Sequence, residues 1–418
     1  MRCSCGQEND FGRSRCPHCG QWLLFGIDPR RLAIDAAVLL ALLAALGIVF
    51  LLDRGSTPTQ GKAVAVEKIE SLDHGLLSHP LQLAVTPPEY DDMGKLLDTL
   101  GSGYRYTTIT MDDILDAKRL RKYDVVFLTC GGVPREWLAE LTGRGERDAA
   151  GMFRPRPEIV TKLRQALRRY VRGGGTLYAS DWQFGVVATA FPEFVDRGKM
   201  ARGAKQTVHA DVVEPGLQKR LGGKTLDLTF EKPAWQPAAF VEGKKVTTYI
   251  RSSYQTASGG EATAALLVQF PFEEGNVIFT SFHNEAQNSK TESELLRYLV
   301  FTTVNAQLDA GVQRTMVRGG FSPVERNLLS ASSKDQSLSE SYECKGSKSL
   351  QFVLGFEDRG ARLRLTVTSP DGAKTEKEGT STLTLDVPQA AAGTWHYTVT
   401  PVEVPYPNFP FSLTVGEK

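Results

Sequence analysis

The sequence predicts a multidomain chain: a cysteine-rich head, a single transmembrane helix, an α/β domain on a parallel sheet, and a C-terminal β-sandwich. Three observations carry this expectation. Residues 32–52, LAIDAAVLLALLAALGIVFLL, are apolar apart from Asp35 and contain no proline. A helix needs about 20 such residues to cross roughly 30 Å of hydrocarbon. Between residues 80 and 308, short apolar runs alternate with helical ones, which points to a parallel sheet covered by helices on both faces. Between 335 and 418, short strands recur with turn residues between them, the rhythm of a sandwich.

The chain has 418 residues, with 49 Lys+Arg against 48 Asp+Glu and a net charge of +1. That length supports more than one core. The balanced charge offers no basic footprint, so no nucleic-acid partner is expected. The apolar run is read as a retained anchor (residues 31–53) rather than a signal peptide, because a long segment precedes it and Asp53-Arg54 follow it. Arg2, Arg13, Arg15, Arg30 and Arg31 lie before the run, and only Arg54, Lys62 and Lys68 follow nearby. The positive-inside rule then places the head in the cytoplasm and the body outside. Cysteine usage agrees, with Cys3, Cys5, Cys16 and Cys19 in the head, where a reducing compartment keeps thiolates available.

Within the head (residues 1–30), Cys16-Pro-His-Cys19-Gly20 has the spacing of a metal knuckle, and Cys3 and Cys5, followed by Gly6, supply a second pair. Four thiolates suit tetrahedral zinc, and so short a segment has almost no core without metal. A closed four-ligand site is structural, so the head is read as an adaptor. These residues resemble the short zinc ribbons of bacterial membrane proteins, which read CxxCG, a polar stretch with an Asn, then CxxCG. The resemblance covers residues 3–20 and implies a zinc site on Cys3, Cys5, Cys16 and Cys19. The first pair here is CxC, which leaves open whether Cys3 or His18 completes the set.

Residues 54–79 read as a linker with early Gly, Pro and Ser, turning helical near 64–71. In the α/β region, strands are expected at 81–85, 104–109, 124–129, 176–180, 263–270 and 276–282. Helices are expected at 90–100, 159–171 and 291–302. DVVFLT (124–129) is apolar without interruption through its centre, as a strand covered on both faces should be. Ile159, Leu163, Leu167 and Tyr170 form one helical stripe, stopped by Gly173-Gly174-Gly175. Residues 206–240 interrupt the rhythm with strands at 208–213 and 225–230.

The strings YDVVFLTCGG, RRYVRGGGTLYASDW and GNVIFTSFHNEA resemble the class I glutamine amidotransferase-like superfamily, nearest its trehalose-utilisation branch. The resemblance covers about residues 80–308 and implies a flavodoxin-like α/β fold. It does not imply the family's chemistry. Relatives carry the nucleophilic cysteine at the turn after the strand TLYAS, where this chain has Ser180, Asp181 and Trp182. Cys130 follows the preceding strand and lacks the glycine two residues earlier that a strained elbow needs. It is read as a strand-end core cysteine in preference to a nucleophile.

Ligands of open α/β sheets sit beyond the carboxyl ends of the strands. Cys130, Asp181, Trp182, His283, Asn284 and Glu285 are all expected there. Ser180, Asp181 and His283 are hydrolase residue types, with Glu285 and Cys130 as further candidates. The competing reading is that Asp181 caps the next helix and His283 bonds a neighbouring loop. Trp235, after Pro233, is expected as core filling or as part of a lid, with Trp182 and Trp235 as recognition aromatics for a glycan in the functional alternative.

After the linker 309–334, strands are expected at 350–356, 362–368, 381–387, 394–401 and 410–415. Residues 362–367 alternate as a one-sided strand does, and Ser369-Pro370-Asp371-Gly372 is a turn. The module (335–418) resembles the small sandwiches appended to bacterial secreted proteases and surface proteins, through residues 368–372 and 392–399.

These readings combine into a single-pass protein of the bacterial inner membrane, N-terminus cytoplasmic and body extracytoplasmic. The expected function is a non-catalytic binding or scaffold protein with protein partners on both sides. The rivals are an envelope hydrolase using Ser180, Asp181 and His283, and a carbohydrate-binding surface protein. An unidentified small molecule or glycan is the expected ligand class.

Overall fold

The computed structural model describes residues 81–131, 133–137, 155–241, 245–287, 289–331, 336–346, 348–356 and 360–418, together with Arg15, Cys16, His18 and Cys19 of the head. The single transmembrane helix is corrected. Among the described residues no helix is long and apolar enough to cross a membrane, and residues 32–52, which carried that expectation, lie outside the described residues. The helix Pro157–Arg172 has 16 residues, or about 24 Å of rise. It also carries Lys162, Arg164, Arg168, Arg169 and Arg172, so it falls short in length and in apolarity. With the span go the membrane anchorage and the inner-membrane placement. The linker helix at 64–71 also lies outside the described residues.

The α/β region is built on a nine-stranded sheet. Its strands are β1 (Leu83–Val85), β2 (Tyr106–Thr108), β3 (Val125–Leu128), β4 (Thr176–Ser180), β5 (Gln206–Val212), β6 (Thr225–Phe230), β7 (Thr247–Gln255), β8 (Glu261–Phe272) and β9 (Gly275–Thr280). The order across the sheet is β2-β1-β3-β4-β9-β8-β7-β5-β6. Strands β2, β1, β3, β4 and β9 are parallel, whereas β9 to β8, β8 to β7, β7 to β5 and β5 to β6 are antiparallel. The expected parallel sheet is therefore mixed. The cause is local: Glu273-Glu274 joins β8 to β9, with Glu273 at φ 54°, and so short a connection can only make a hairpin.

The sheet separates two hydrophobic cores. Val125 and Phe127 face one, with Tyr178, while Val126 and Leu128 face the other, with Leu177 and Ala179. This alternation between two apolar layers is why β3 is buried throughout. The helix Pro157–Arg172 starts with proline at its first turn, where no N–H is needed. It buries Ile159, Leu163, Leu167 and Tyr170 in the cluster that also holds Val126, Leu128, Leu177 and Val277 of the sheet. Tyr170 is pinned by its hydroxyl, which donates to the carbonyls of Asp124 (3.0 Å) and Thr176 (3.1 Å). Gly275 is required where β9 meets this helix, since a Cβ there would lie 2.2 Å from the Val171 carbonyl oxygen.

The C-terminal region contains β10 (Ser322–Ala331), β11 (Leu338–Cys344), β12 (Lys348–Gly355), β13 (Arg362–Thr368), β14 (Lys374–Gly379), β15 (Leu383–Ala390), β16 (Gly393–Glu403) and β17 (Phe409–Glu417). They form two four-stranded antiparallel sheets, β10-β17-β12-β15 and β11-β16-β13-β14. Both contribute to one apolar cluster that includes Phe352, Leu413, Leu365 and Tyr397. Of residues 309–334, read as a linker, 309–318 belong instead to the helix Ala306–Arg318 and 322–331 to β10. An ion pair between the part-exposed Arg326 and the buried Asp309 joins those two elements. Asn408 ties the C-terminal sheets to the α/β region. Its Nδ2 donates to the Leu100 carbonyl (3.0 Å), its carbonyl accepts from Tyr104 Oη (2.6 Å), and its Oδ1 accepts from Arg297.

Candidate functional site

The polar cluster sits at the carboxyl ends of β3, β4, β6 and β9, and its central residue is Asp181. Strand β4 is buried along its length, and the chain then turns through the 3-10 segment Asp181–Gln183 into the helix Phe184–Ala190. Asp181 takes φ 45° at this turn. A non-glycine residue in that region is held by its surroundings at a local cost. This is the strand–elbow–helix geometry that presents a nucleophile in other α/β proteins, and here it presents a carboxylate.

That carboxylate is fully engaged. Its Oδ1 accepts the Gln236 N–H at 2.6 Å. Its Oδ2 faces His283 Nε2 at 3.1 Å and the Cys130 thiol at 3.5 Å. On the other side of the ring, His283 Nδ1 lies 2.5 Å from Glu231 Oε1. Both imidazole nitrogens face carboxylate oxygens, which only accept, so both nitrogens carry protons. Burial opposes the charge on His283, but its bonds to Asp181, Cys130 and Glu231 prevail and hold it up at about 12. Burial also opposes the Glu231 charge, yet its bond to His283 keeps that carboxyl below its ordinary value. The Cys130 thiol is pushed up to about 11 by burial, which the nearby His283 only partly offsets, with Asp181 adding to the rise. It is an unactivated thiol beside a carboxylate.

The expected residues separate into those the fold brings together and those it does not. Cys130, Asp181 and His283 converge. Ser180 does not join them: it is completely buried, and its Oγ accepts the Cys130 N–H at 2.9 Å. Glu285 turns outward to an exposed ion pair with Lys95 at 2.5 Å. The Asn284 N–H donates to Asp91 Oδ1 at 2.9 Å. Trp182 is half-buried, donates Nε1–H to the Ala234 carbonyl (3.1 Å) and meets Tyr90 edge-on at 5.3 Å between ring centroids. Trp235 is 2% exposed and stacks on Phe230 at 3.9 Å. Its Nε1–H donates to the Ala204 carbonyl at 2.7 Å, so its ring belongs to the core. In the head, Cys16 is buried and Cys19 exposed, while Cys3 and Cys5 lie outside the described residues.

Sequence reasoning missed two members. Glu231 directly follows β6, so the end of that strand was the available signal. Asp91, beside the helix cap Asp92, has its Oδ1 occupied by backbone N–H groups of Asp92, Asn284 and Glu285. Asp91 Oδ2, Gln183 Oε1 and Asn284 Oδ1 are buried and, among the described residues, have no hydrogen-bond partner. All three are acceptors. Gln183 also lines a cavity of about 410 Å³, together with residues that include Thr86, Glu89, Asp112 and Glu136. The charged lining of this cavity is acidic.

No family model matches the sequence, and no curated protein matches it. Among solved structures, PurLQS from Thermotoga maritima is 14% identical, with a TM-score of 0.33, covering 53% of this chain and 100% of that one. A putative GMP synthase component from Thermoplasma acidophilum is 10% identical, with a TM-score of 0.32, covering 58% and 98%. A cytoplasmic protein from Salmonella typhimurium is 13% identical, with a TM-score of 0.31, covering 52% and 98%. The structural neighbours thus include amidotransferase-type proteins at low overall similarity and over part of this chain.

Proposed function

We propose that this chain is a non-catalytic binding or scaffold protein whose α/β domain uses an amidotransferase-like framework without its nucleophile. The observation that carries this reading is the elbow itself, where Asp181 stands with both carboxylate oxygens committed to Gln236, His283 and Cys130. A covalent mechanism needs a nucleophile that meets both substrate and base. Here the imidazole is spent on two carboxylates, and Ser180 is turned away from it. The buried, unpartnered acceptor of Gln183, which lines a cavity whose charged residues are acidic, favours a small ligand rich in hydrogen-bond donors. In this reading the head holds zinc on Cys3, Cys5, Cys16 and Cys19 and docks a protein partner.

The test is hydrolysis of glutamine and of a panel of simple esters and amides by the purified full chain and by a His283→Ala variant. The expected result is no product above buffer for either protein. Turnover by the wild type that disappears in a folded His283→Ala variant refutes the proposal and favours a hydrolase.

A further inference from the structure

We infer that Cys130, Asp181 and His283 form a binding site for one divalent transition cation of the zinc class. The Sγ, a carboxylate oxygen and a ring nitrogen of these residues all lie within 4.8 Å of one another, and all three residues are buried. Zinc takes thiolate at about 2.3 Å and nitrogen or oxygen at about 2.0–2.2 Å in a tetrahedron, which places neighbouring ligand atoms roughly 3.2–3.7 Å apart. The separations from Asp181 Oδ2 are 3.1 Å to His283 Nε2 and 3.5 Å to Cys130 Sγ. A cation can enter between these atoms with little movement of the side chains.

The ligand types select the metal. One sulfur, one imidazole nitrogen and one carboxylate oxygen suit zinc or cobalt, whereas magnesium and calcium require oxygen ligands. The outer shell is present as well. Glu231 Oε1 lies 2.5 Å from His283 Nδ1, the carboxylate–histidine arrangement that orients a metal-bound imidazole. Gln236 N–H holds the second oxygen of Asp181, and Ser180 Oγ holds the Cys130 backbone. Coordination balances in charge: the cation brings two positive charges, while the thiol proton and the Nε2 proton leave to solvent. Three protein ligands leave the fourth position to water. The inference goes beyond the proposed binding function and stands whether or not the domain lacks hydrolytic activity.

The test uses the full chain carrying Cys3→Ser, Cys5→Ser, Cys16→Ser and Cys19→Ser, so that the head does not report, titrated with Co²⁺. The expected result is one equivalent bound, with a charge-transfer band of single-thiolate intensity that Cys130→Ser abolishes. Glu231→Gln, at a half-exposed position outside the ligand set, should keep the band and weaken affinity about 10–100-fold. That variant decides the matter if Cys130→Ser fails to fold. Absence of the band in the folded head variant, its survival in Cys130→Ser, or unchanged affinity in Glu231→Gln overturns the inference.

Discussion

Replacing Asp91 by Asn should flatten the pH dependence of stability. Asp91 is 2% exposed, with one oxygen held by three backbone N–H groups and the other without a protein partner among the described residues. Burial pushes its carboxyl from 3.8 up to about 6, with His283 and the backbone N–H groups pulling it back. Because the folded value lies above the unfolded one, folding favours the protonated acid. The contribution to stability is therefore complete below about pH 4, falls as pH rises, and is lost above about pH 6. Slightly more than two pH units, at about 1.4 kcal/mol each, amounts to about 3 kcal/mol. Asn keeps the acceptor that holds the Asn284 and Glu285 N–H groups but carries no charge. It also places an amide N–H₂ where the unpartnered oxygen stood, at a cost of about 1–3 kcal/mol that does not vary with pH. The assay is urea unfolding of both proteins between about pH 4 and pH 8. The wild type should lose about 2–3 kcal/mol relative to Asp91→Asn over that range, most of it before pH 6. A difference between the two proteins that stays constant with pH refutes the reasoning.

Other perturbations test the packing around the site. Gly203→Ala places a Cβ 1.8 Å from Trp235 Cε2, so it should cost about 1–3 kcal/mol or more by overpacking, read as a lower melting temperature. Arg326→Met leaves Asp309, whose side chain is 4% exposed, as an uncompensated buried carboxylate. Unfolding in denaturant should show a loss of about 3–5 kcal/mol, and a loss below about 1 kcal/mol would mean that Asp309 finds another partner. Asn408→Ala removes the bonds to Leu100 and Arg297 and puts alanine at φ 57°. The expected cost is about 2–4 kcal/mol, and calorimetry should show the unfolding transition broadening or splitting as the C-terminal sheets uncouple.

Where a segment's neighbours in the fold repeat its own periodicity, its structure was legible in the sequence. Residues 362–367 alternate between inward and outward side chains, and the uninterrupted apolar run at 125–128 is a strand buried on both faces. The stripe Ile159, Leu163, Leu167 and Tyr170 is the buried face of its helix. The elements that escaped notice lack such a pattern. Strand β14, KTEKEG, is exposed along nearly its whole length and, among the described residues, pairs only with β13, so its charges guard a sheet edge rather than mark a core. Helix Ala306–Arg318 has a mixed surface because it covers strands at the junction with the C-terminal sheets. There Val312 and Met316 pack with Val353.

The sequence by itself determined that an elbow follows β4, that no cysteine occupies it, and that Cys130, Asp181 and His283 stand at strand ends on one side of the sheet. Only the tertiary structure decided which of them meet. Successive residues at a strand end point in different directions, so Ser180 turns to the Cys130 backbone while Asp181 turns to His283. The partner of His283 is not Glu285, two residues away, but Glu231, 52 residues earlier in the chain. Glu285 instead lies in a surface turn beside Lys95. Pairing across the sheet depends on strand order and register. The β8–β9 hairpin follows from the short Glu273-Glu274 connection, but the placement of β7, β5 and β6 beyond it is encoded by no local pattern in the sequence.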